Sequence, residues 1–154
     1  MRPLEQVLWQ WRFWQIPRHI QPGARVLDIG CAEGRFFRQL KSRLGQGVGL
    51  DPTLDRSVQG TRYRLMPGRF PDDCHEVEPF DVITMIAVLE HMPPPVLPGV
   101  AQTCAQLLKP GGRLIITVPS PLVDSILDVL RWLRLVDGVC LEEHYGFEVG
   151  TVPD

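Results

Sequence analysis

With 154 residues, 44% of them hydrophobic and 22% charged, the chain is long enough for one domain with a sizeable core and carries no low-complexity tract. A formal net charge of −2, with the basic residues scattered rather than gathered into a stripe, argues against a nucleic-acid surface and leaves small molecules as the expected partners. No segment reads as a secretory leader or a membrane span, and Cys31, Cys74, Cys104 and Cys140 lack metal-like spacing, so reduced thiols in a cytoplasmic protein are expected.

The first expected element is a helix over 4–15, which carries Trp9, Trp11, Phe13 and Trp14. It reads as a lid over a ligand mouth or as an aromatic face packed on a sheet, and the bulk of the rings favours packing; a membrane-surface role comes third, since the polar face has few Lys or Arg. A strand over 24–29 follows. It ends in the run Val26-Leu27-Asp28-Ile29-Gly30-Cys31-Ala32-Glu33-Gly34, an apolar strand that closes on an acid and opens into a glycine-spaced turn. Glycines at 30 and 34 allow positive φ, so backbone N–H groups can approach a bound molecule there. A helix is expected over 34–44. Strand, turn and helix start together put a ligand site at the carboxyl end of a parallel strand. A dinucleotide fingerprint starting at Gly30 would need glycine at 32 and 35, where Ala32 and Arg35 stand instead.

A second strand over 47–51 stops at Asp51. That acid reads either as a carboxylate for vicinal hydroxyls or as a turn or capping residue before Pro52. A short third strand is expected over 61–66 and a fourth over 80–85, the latter leading to Glu90-His91 and the rigid Pro93-Pro94-Pro95 connector. A helix over 95–108, a Pro110-Gly111-Gly112 turn and a fifth strand over 113–118 come next. Apolar residues at 122, 123, 126, 127, 130 and 133 keep helical spacing and predict a final amphipathic helix over 121–136. Strands alternating with helices predict an α/β fold, a doubly wound and mostly parallel sheet with helices on both faces.

Asp28, Gly30, Ala32 and Gly34 resemble the D/E-x-G-x-G-x-G signature of class I S-adenosylmethionine-dependent methyltransferases, with alanine in place of the middle glycine. A Cβ at position 32 makes a strongly positive φ there less favourable. Phe80-Asp81-Val82-Ile83 with Leu89-Glu90-His91, and Leu107-Leu108-Lys109-Pro110-Gly111-Gly112 with Leu114-Ile115-Ile116-Thr117-Val118-Pro119, resemble later motifs of that family in the right order. The resemblance implies a Rossmann-like fold, S-adenosylmethionine as cofactor and methyl transfer to an oxygen, nitrogen or carbon of a small-molecule acceptor. It assigns cofactor contacts to Asp28, Gly30, Cys31, Gly34 and Asp51. Gly68, Arg69 and Phe70 after the third strand are assigned to the cofactor's adenine, and Met85 and Ile86 at the end of the fourth strand are assigned as further cofactor contacts. Cys31 also reads simply as a small packed hydrophobe.

His91 is the first candidate for a general base and His144 the second; holding the loop by hydrogen bonds is the competing reading of His91. Some ubiquinone-biosynthesis relatives carry E-x-x-E-H here and bind a divalent metal. In this chain Ala87 replaces the first acid, so no metal site is implied. The family domain usually finishes with a β-hairpin that this chain is expected to lack. It then reads as one domain over 1–154, with an N-terminal helical segment (1–20) and an incomplete C-terminal part (137–154). An uncovered fifth strand would invite a homodimer. A noncatalytic cofactor-binding or scaffold subunit, or a fragment, is the alternative to an enzyme.

Overall fold

A computed structural model of the chain describes residues 13–117. Its sheet contains β1 (Ala24–Ile29), β2 (Leu44–Asp51), β3 (Val58–Gln59), β4 (Tyr63–Pro67), β5 (Phe80–Ile86) and β6 (Leu108–Thr117), in the order β3-β4-β2-β1-β5-β6. All neighbours run parallel except β3 and β4. Helices α1 (Arg35–Leu40) and α2 (Leu97–Leu107), with short 3₁₀ turns between elements, complete the described elements. From β1 the chain winds outward through β2 to β4, then crosses back to β5 and β6 on the other side. The winding therefore reverses at β1, and the crevice between the carboxyl ends of β1 and β5 is where such sheets take ligands.

The central strands are buried on both faces, which is why their sequences are nearly continuous apolar runs. Odd positions of β1, Leu27 and Ile29, join Ile83 and Met85 of β5 and Leu50 of β2 under Val100, Cys104 and Leu107 of α2. Even positions, Ala24 and Val26, join Val82 under Phe36, Phe37 and Leu40 of α1, with Phe13, Ile16 and Ile20 completing that layer. The doubly wound arrangement with helices on both faces is thus as the alternation predicts. Helix α1 sits close because β2 offers glycine beneath it: a Cβ on Gly47 would lie 2.8 Å from the Phe37 ring, and one on Gly49 would lie 2.6 Å from Cys31 Sγ.

Several boundaries differ from the sequence reading. The first helix ends at Leu40 instead of 44, where Lys41 takes φ +49° and a 3₁₀ turn (Lys41–Arg43) leads straight into β2. Strand β2 starts at Leu44 rather than 47 because Leu44 already pairs with Ala24 and the Gly23 N–H donates to the Arg43 carbonyl at 2.8 Å. Residues 94–96 form a 3₁₀ turn under the proline connector, which delays α2 to Leu97. Strand β6 begins at Leu108, and 109–112 bulge out between the pairs Phe80–Leu108 and Val82–Arg113, with Gly111 at φ +76°. Strand β4 is the expected third strand, shifted from 61–66 to Tyr63–Pro67, whereas β3, antiparallel to it, has no counterpart in the expected elements.

Among the described residues no helix is long and apolar enough to cross a membrane. The expected final helix (121–136), the C-terminal part expected to lack a hairpin and the homodimer expected from that, His144, Cys140 and the part of the expected N-terminal helix before Phe13 lie outside the described residues. Of that N-terminal aromatic group, Phe13 is buried, edge-on to Phe36 at 5.6 Å, and Trp14 is exposed.

Candidate functional site

The turn after β1 is held in left-handed backbone at three positions: Gly30 (φ +75°), Ala32 (φ +44°) and Gly34 (φ +72°). Alanine at 32 therefore does adopt the positive φ that its Cβ disfavours, contrary to the sequence expectation. The reason is a specific tether: the Ala32 N–H donates to Asp51 Oδ2 at 2.7 Å. A second bond, from the Gly30 N–H to the Leu50 carbonyl at 2.8 Å, pins the same turn to the end of β2. Gly34 closes the turn through its N–H on the Cys31 carbonyl at 2.8 Å and forms the entry to α1.

This turn forms one wall of an open cavity of about 590 Å³, within the size range of small-molecule and cofactor sites. Asp28, Gly30, Cys31, Phe13, Thr53 and Ile86 are among the residues that line it. Of the residues assigned from sequence, Asp28, Gly30, Cys31 and Ile86 are brought together here. Gly34 lies behind the wall, packed on Leu65 and Tyr63. Met85 points the other way into the apolar core beneath α2, as does Phe70, and Arg69 is exposed with its N–H on Asp73 Oδ2 at 2.7 Å. Gly68–Phe70 do not line this cavity, although the Gly68 N–H reaches the Asp51 carbonyl at 3.2 Å.

Asp28 sits on β1 directly opposite Thr84 of β5 and is only 3% exposed. The Thr84 hydroxyl donates to Asp28 Oδ1 at 2.7 Å. Burial nonetheless pushes the Asp28 carboxyl up to about 7; the Thr84 bond opposes the rise and the nearby Asp51 charge adds to it. Burial also dominates at Cys31, whose thiol is pushed up to about 12 with help from the charges of Asp28 and Asp51. Cys31 is thus a packed, protonated wall residue with little nucleophilic character.

Asp51, at the tip of β2, behaves in the opposite way. Burial tends to raise its carboxyl, but the Thr53 hydroxyl and N–H and the Ala32 N–H outweigh that and hold it below the ordinary carboxylate range. The three bonds measure 2.6, 2.8 and 2.7 Å. Thr53 was missed in the sequence reading, yet its signal is present: in Asp51-Pro52-Thr53 an acid accepts from the N–H two residues on, the usual Asx-turn geometry. Glu33, Arg35, Arg38 and Asp55 also line the cavity without having been singled out.

Beyond β5 the backbone turns sharply at Ala87 (φ +55°), whose N–H donates to Thr117, and enters a 3₁₀ turn (Leu89–His91). His91 is exposed on that turn, with its N–H on the Val88 carbonyl at 2.9 Å, and does not line the cavity. Its neighbour Glu90 has one carboxylate oxygen, Oε2, buried without a hydrogen-bond partner among the described residues.

A family profile described as "Methyltransferase domain" matches residues 8–148. The ubiquinone biosynthesis O-methyltransferase of Idiomarina loihiensis is 32% identical over 141 residues, covering 85% of this chain and 52% of that protein. The chain therefore spans about half the length of that relative. Among solved structures, the N-methyltransferase NodS from Bradyrhizobium japonicum superposes with a TM-score of 0.65 at 15% identity, over 85% of this chain and 83% of that one. The 1,6-didemethyltoxoflavin-N1-methyltransferase of Burkholderia thailandensis, solved with S-adenosylhomocysteine, gives a TM-score of 0.63 at 18% identity, over 80% and 65% of the two chains. At these identities the two structures speak for the fold, and the fold they share is the one built here around the turn after β1. Since the profile itself runs through nearly all of the sequence, the chain belongs to the methyltransferase-domain family, in its class I form.

Proposed function

We propose that this chain is the cofactor-binding domain of an S-adenosylmethionine-dependent methyltransferase acting on a small molecule. The observation that carries this is the pairing of a left-handed turn with Asp51, whose ionised carboxylate is held beside a cavity of about 590 Å³. The residues fit the group. A Cβ at Gly30 would lie 2.2 Å from Val88 Cγ2, so the turn can hold this shape only with glycine there. Asp51 would hold the ribose hydroxyls, the Gly30–Cys31 turn the amino-acid end, and Asp28 offers a carboxylate to that end's ammonium group.

When bound, the cofactor supplies a methyl group on a sulfonium, which is already a good leaving group. The protein's part is then mainly orientation of the acceptor at near-attack distance and exclusion of water. An acceptor that loses a proton also needs a base, and His91, on the exposed turn beyond β5, is proposed for that role. The relatives' names, ubiquinone biosynthesis O-methyltransferase above all, support a small-molecule acceptor, as does the absence of a basic stripe in the sequence. Transfer of labelled methyl from S-adenosylmethionine to acceptors in a cellular extract tests the reading; cofactor binding with no transfer to any acceptor would leave only the noncatalytic alternative.

Two substitutions sharpen it. Asp51→Ala removes charge-assisted bonds and should weaken S-adenosylhomocysteine roughly ten- to hundredfold, read by calorimetric titration with NAD as the control ligand. Wild-type affinity in the variant would refute the ribose assignment. His91→Ala should lower turnover about 10²–10⁴-fold while leaving S-adenosylhomocysteine affinity unchanged. Unaltered turnover removes His91 from the chemistry, and a parallel loss of stability would instead mark it as a loop anchor.

A further inference from the structure

We propose that Thr53 limits the affinity of this site, because its hydroxyl occupies the Asp51 carboxylate position that a ligand with two adjacent hydroxyls needs. The inference rests on the reading of Asp51 as the ribose acceptor. An ionised carboxylate offers about four lone-pair positions, two on each oxygen. Three of them are taken here. Oδ1 accepts from both the Thr53 N–H at 2.8 Å and the Thr53 hydroxyl at 2.6 Å, which fills it, and Oδ2 accepts from the Ala32 N–H at 2.7 Å. One position remains, on Oδ2. A vicinal diol brings two donors, so one of the present donors must leave for both to be satisfied.

The two backbone donors are fixed. Ala32 belongs to the left-handed turn pinned by the Gly30 N–H on the Leu50 carbonyl at 2.8 Å. The Thr53 N–H is set by its turn, in which the Leu54 N–H reaches back to the Asp51 carbonyl at 3.4 Å. Only the Thr53 hydroxyl can withdraw, by rotation about one side-chain bond. Thr53 is exposed and lines the cavity, so the released hydroxyl turns into water or toward the ligand rather than into the core. No backbone movement is required. In the free protein the hydroxyl keeps the carboxylate ionised and aimed. On binding it gives way, and the bond lost is subtracted from the ligand's affinity.

Removing that competing donor should therefore strengthen binding, the reverse of what deleting a polar residue from a binding site normally does. Thr53→Val keeps the branched shape and lacks the hydroxyl. It should bind S-adenosylhomocysteine about three- to tenfold more tightly than wild type in calorimetric titration at pH 8. Thr53→Ser restores the donor and should return the affinity toward wild type. The 2′-deoxy form of S-adenosylhomocysteine, with one hydroxyl fewer, needs only the free position on Oδ2, so its affinity should be the same in wild type and Thr53→Val.

Equal or weaker binding of S-adenosylhomocysteine by Thr53→Val overturns the inference, as does an equal gain for the 2′-deoxy ligand. Failure of the underlying reading looks different. In that case wild type does not bind S-adenosylhomocysteine at all, or Asp51→Asn binds it as well as wild type does.

Discussion

Asp28→Asn is expected to stabilise the domain at pH 8 by about 2–4 kcal/mol while weakening S-adenosylmethionine about tenfold or more. The buried carboxyl titrates at about 7 in the folded protein against an ordinary value of 3.8, so between those values the folded state holds a proton that the unfolded chain releases. Stability from this group is fully present below pH 3.8, falls as pH rises through the window, and has been lost once pH passes about 7. Each pH unit of difference is worth roughly 1.4 kcal/mol, and the new amide N–H₂ must find partners, which reduces the gain. Asparagine can still accept from the Thr84 hydroxyl, so the β1–β5 pairing survives.

The advantage of the variant should shrink from pH 7 to pH 4 and vanish below. Asp81, held below the ordinary range, titrates in the opposite sense but does so in both proteins and cancels in the difference; Asp51, also held low, cancels only in part because its charge is coupled to that of Asp28. Denaturant unfolding of the two proteins across this range is the measurement. Identical stabilities from pH 4 to 8 would show that Asp28 carries no ionisation penalty. On the proposed reading, the expected result also explains why an acid stands at so buried a position: a charge costly to the fold is kept where a cationic ligand end would use it.

How far the sequence was legible follows from the range of each interaction. The run Val26–Gly34 could be read because everything that shapes it locally is adjacent: an apolar strand, an acid and glycines at set intervals. Asp51 could be found by its spacing, but its bond to Ala32 joins residues nineteen apart in the chain and leaves no local trace. That bond is why Ala32 overrides its own steric preference. The first helix looked longer because Lys41, Ser42 and Arg43 do not break a helical pattern. What stops it is the pairing of Leu44 with Ala24 and the approach of Gly45 to the Gly23 carbonyl, where a Cβ would come within 2.2 Å. Two residues of β3 are too few to show a period, and their strand exists only because β4 pairs with it. His91 was placed correctly beyond the fourth strand of the sequence reading, now β5. Its exposure depends on the turn at Ala87, which nothing in Ala87-Val88-Leu89 announces.

Gly30→Ala should destabilise the domain by about 2–5 kcal/mol, the sum of a left-handed backbone penalty of about 1–2 kcal/mol and an overpacking cost of about 1–3 kcal/mol. The new Cβ would sit 2.2 Å from Val88 Cγ2, and Val88 is β-branched, so it has few rotamers with which to withdraw. Gly23→Ala separates the two costs. Gly23 has φ +81° with nothing within 4 Å of the added Cβ, so only the backbone penalty applies there.

The double variant Gly30→Ala/Val88→Ala makes room for the Cβ and should recover the overpacking part, leaving a loss close to that of Gly23→Ala. Urea unfolding of these proteins measures the energies. If Gly30→Ala costs no more than Gly23→Ala, or if trimming Val88 recovers nothing, the contact between the glycine turn and the turn beyond β5 is not the constraint. Ligand affinity should follow the same order. Gly30 lines the cavity, so a clash that displaces its turn disturbs the cavity wall directly. S-adenosylhomocysteine binding should therefore fall at least tenfold in Gly30→Ala, stay near wild type in Gly23→Ala, and rise again in the double variant in step with stability.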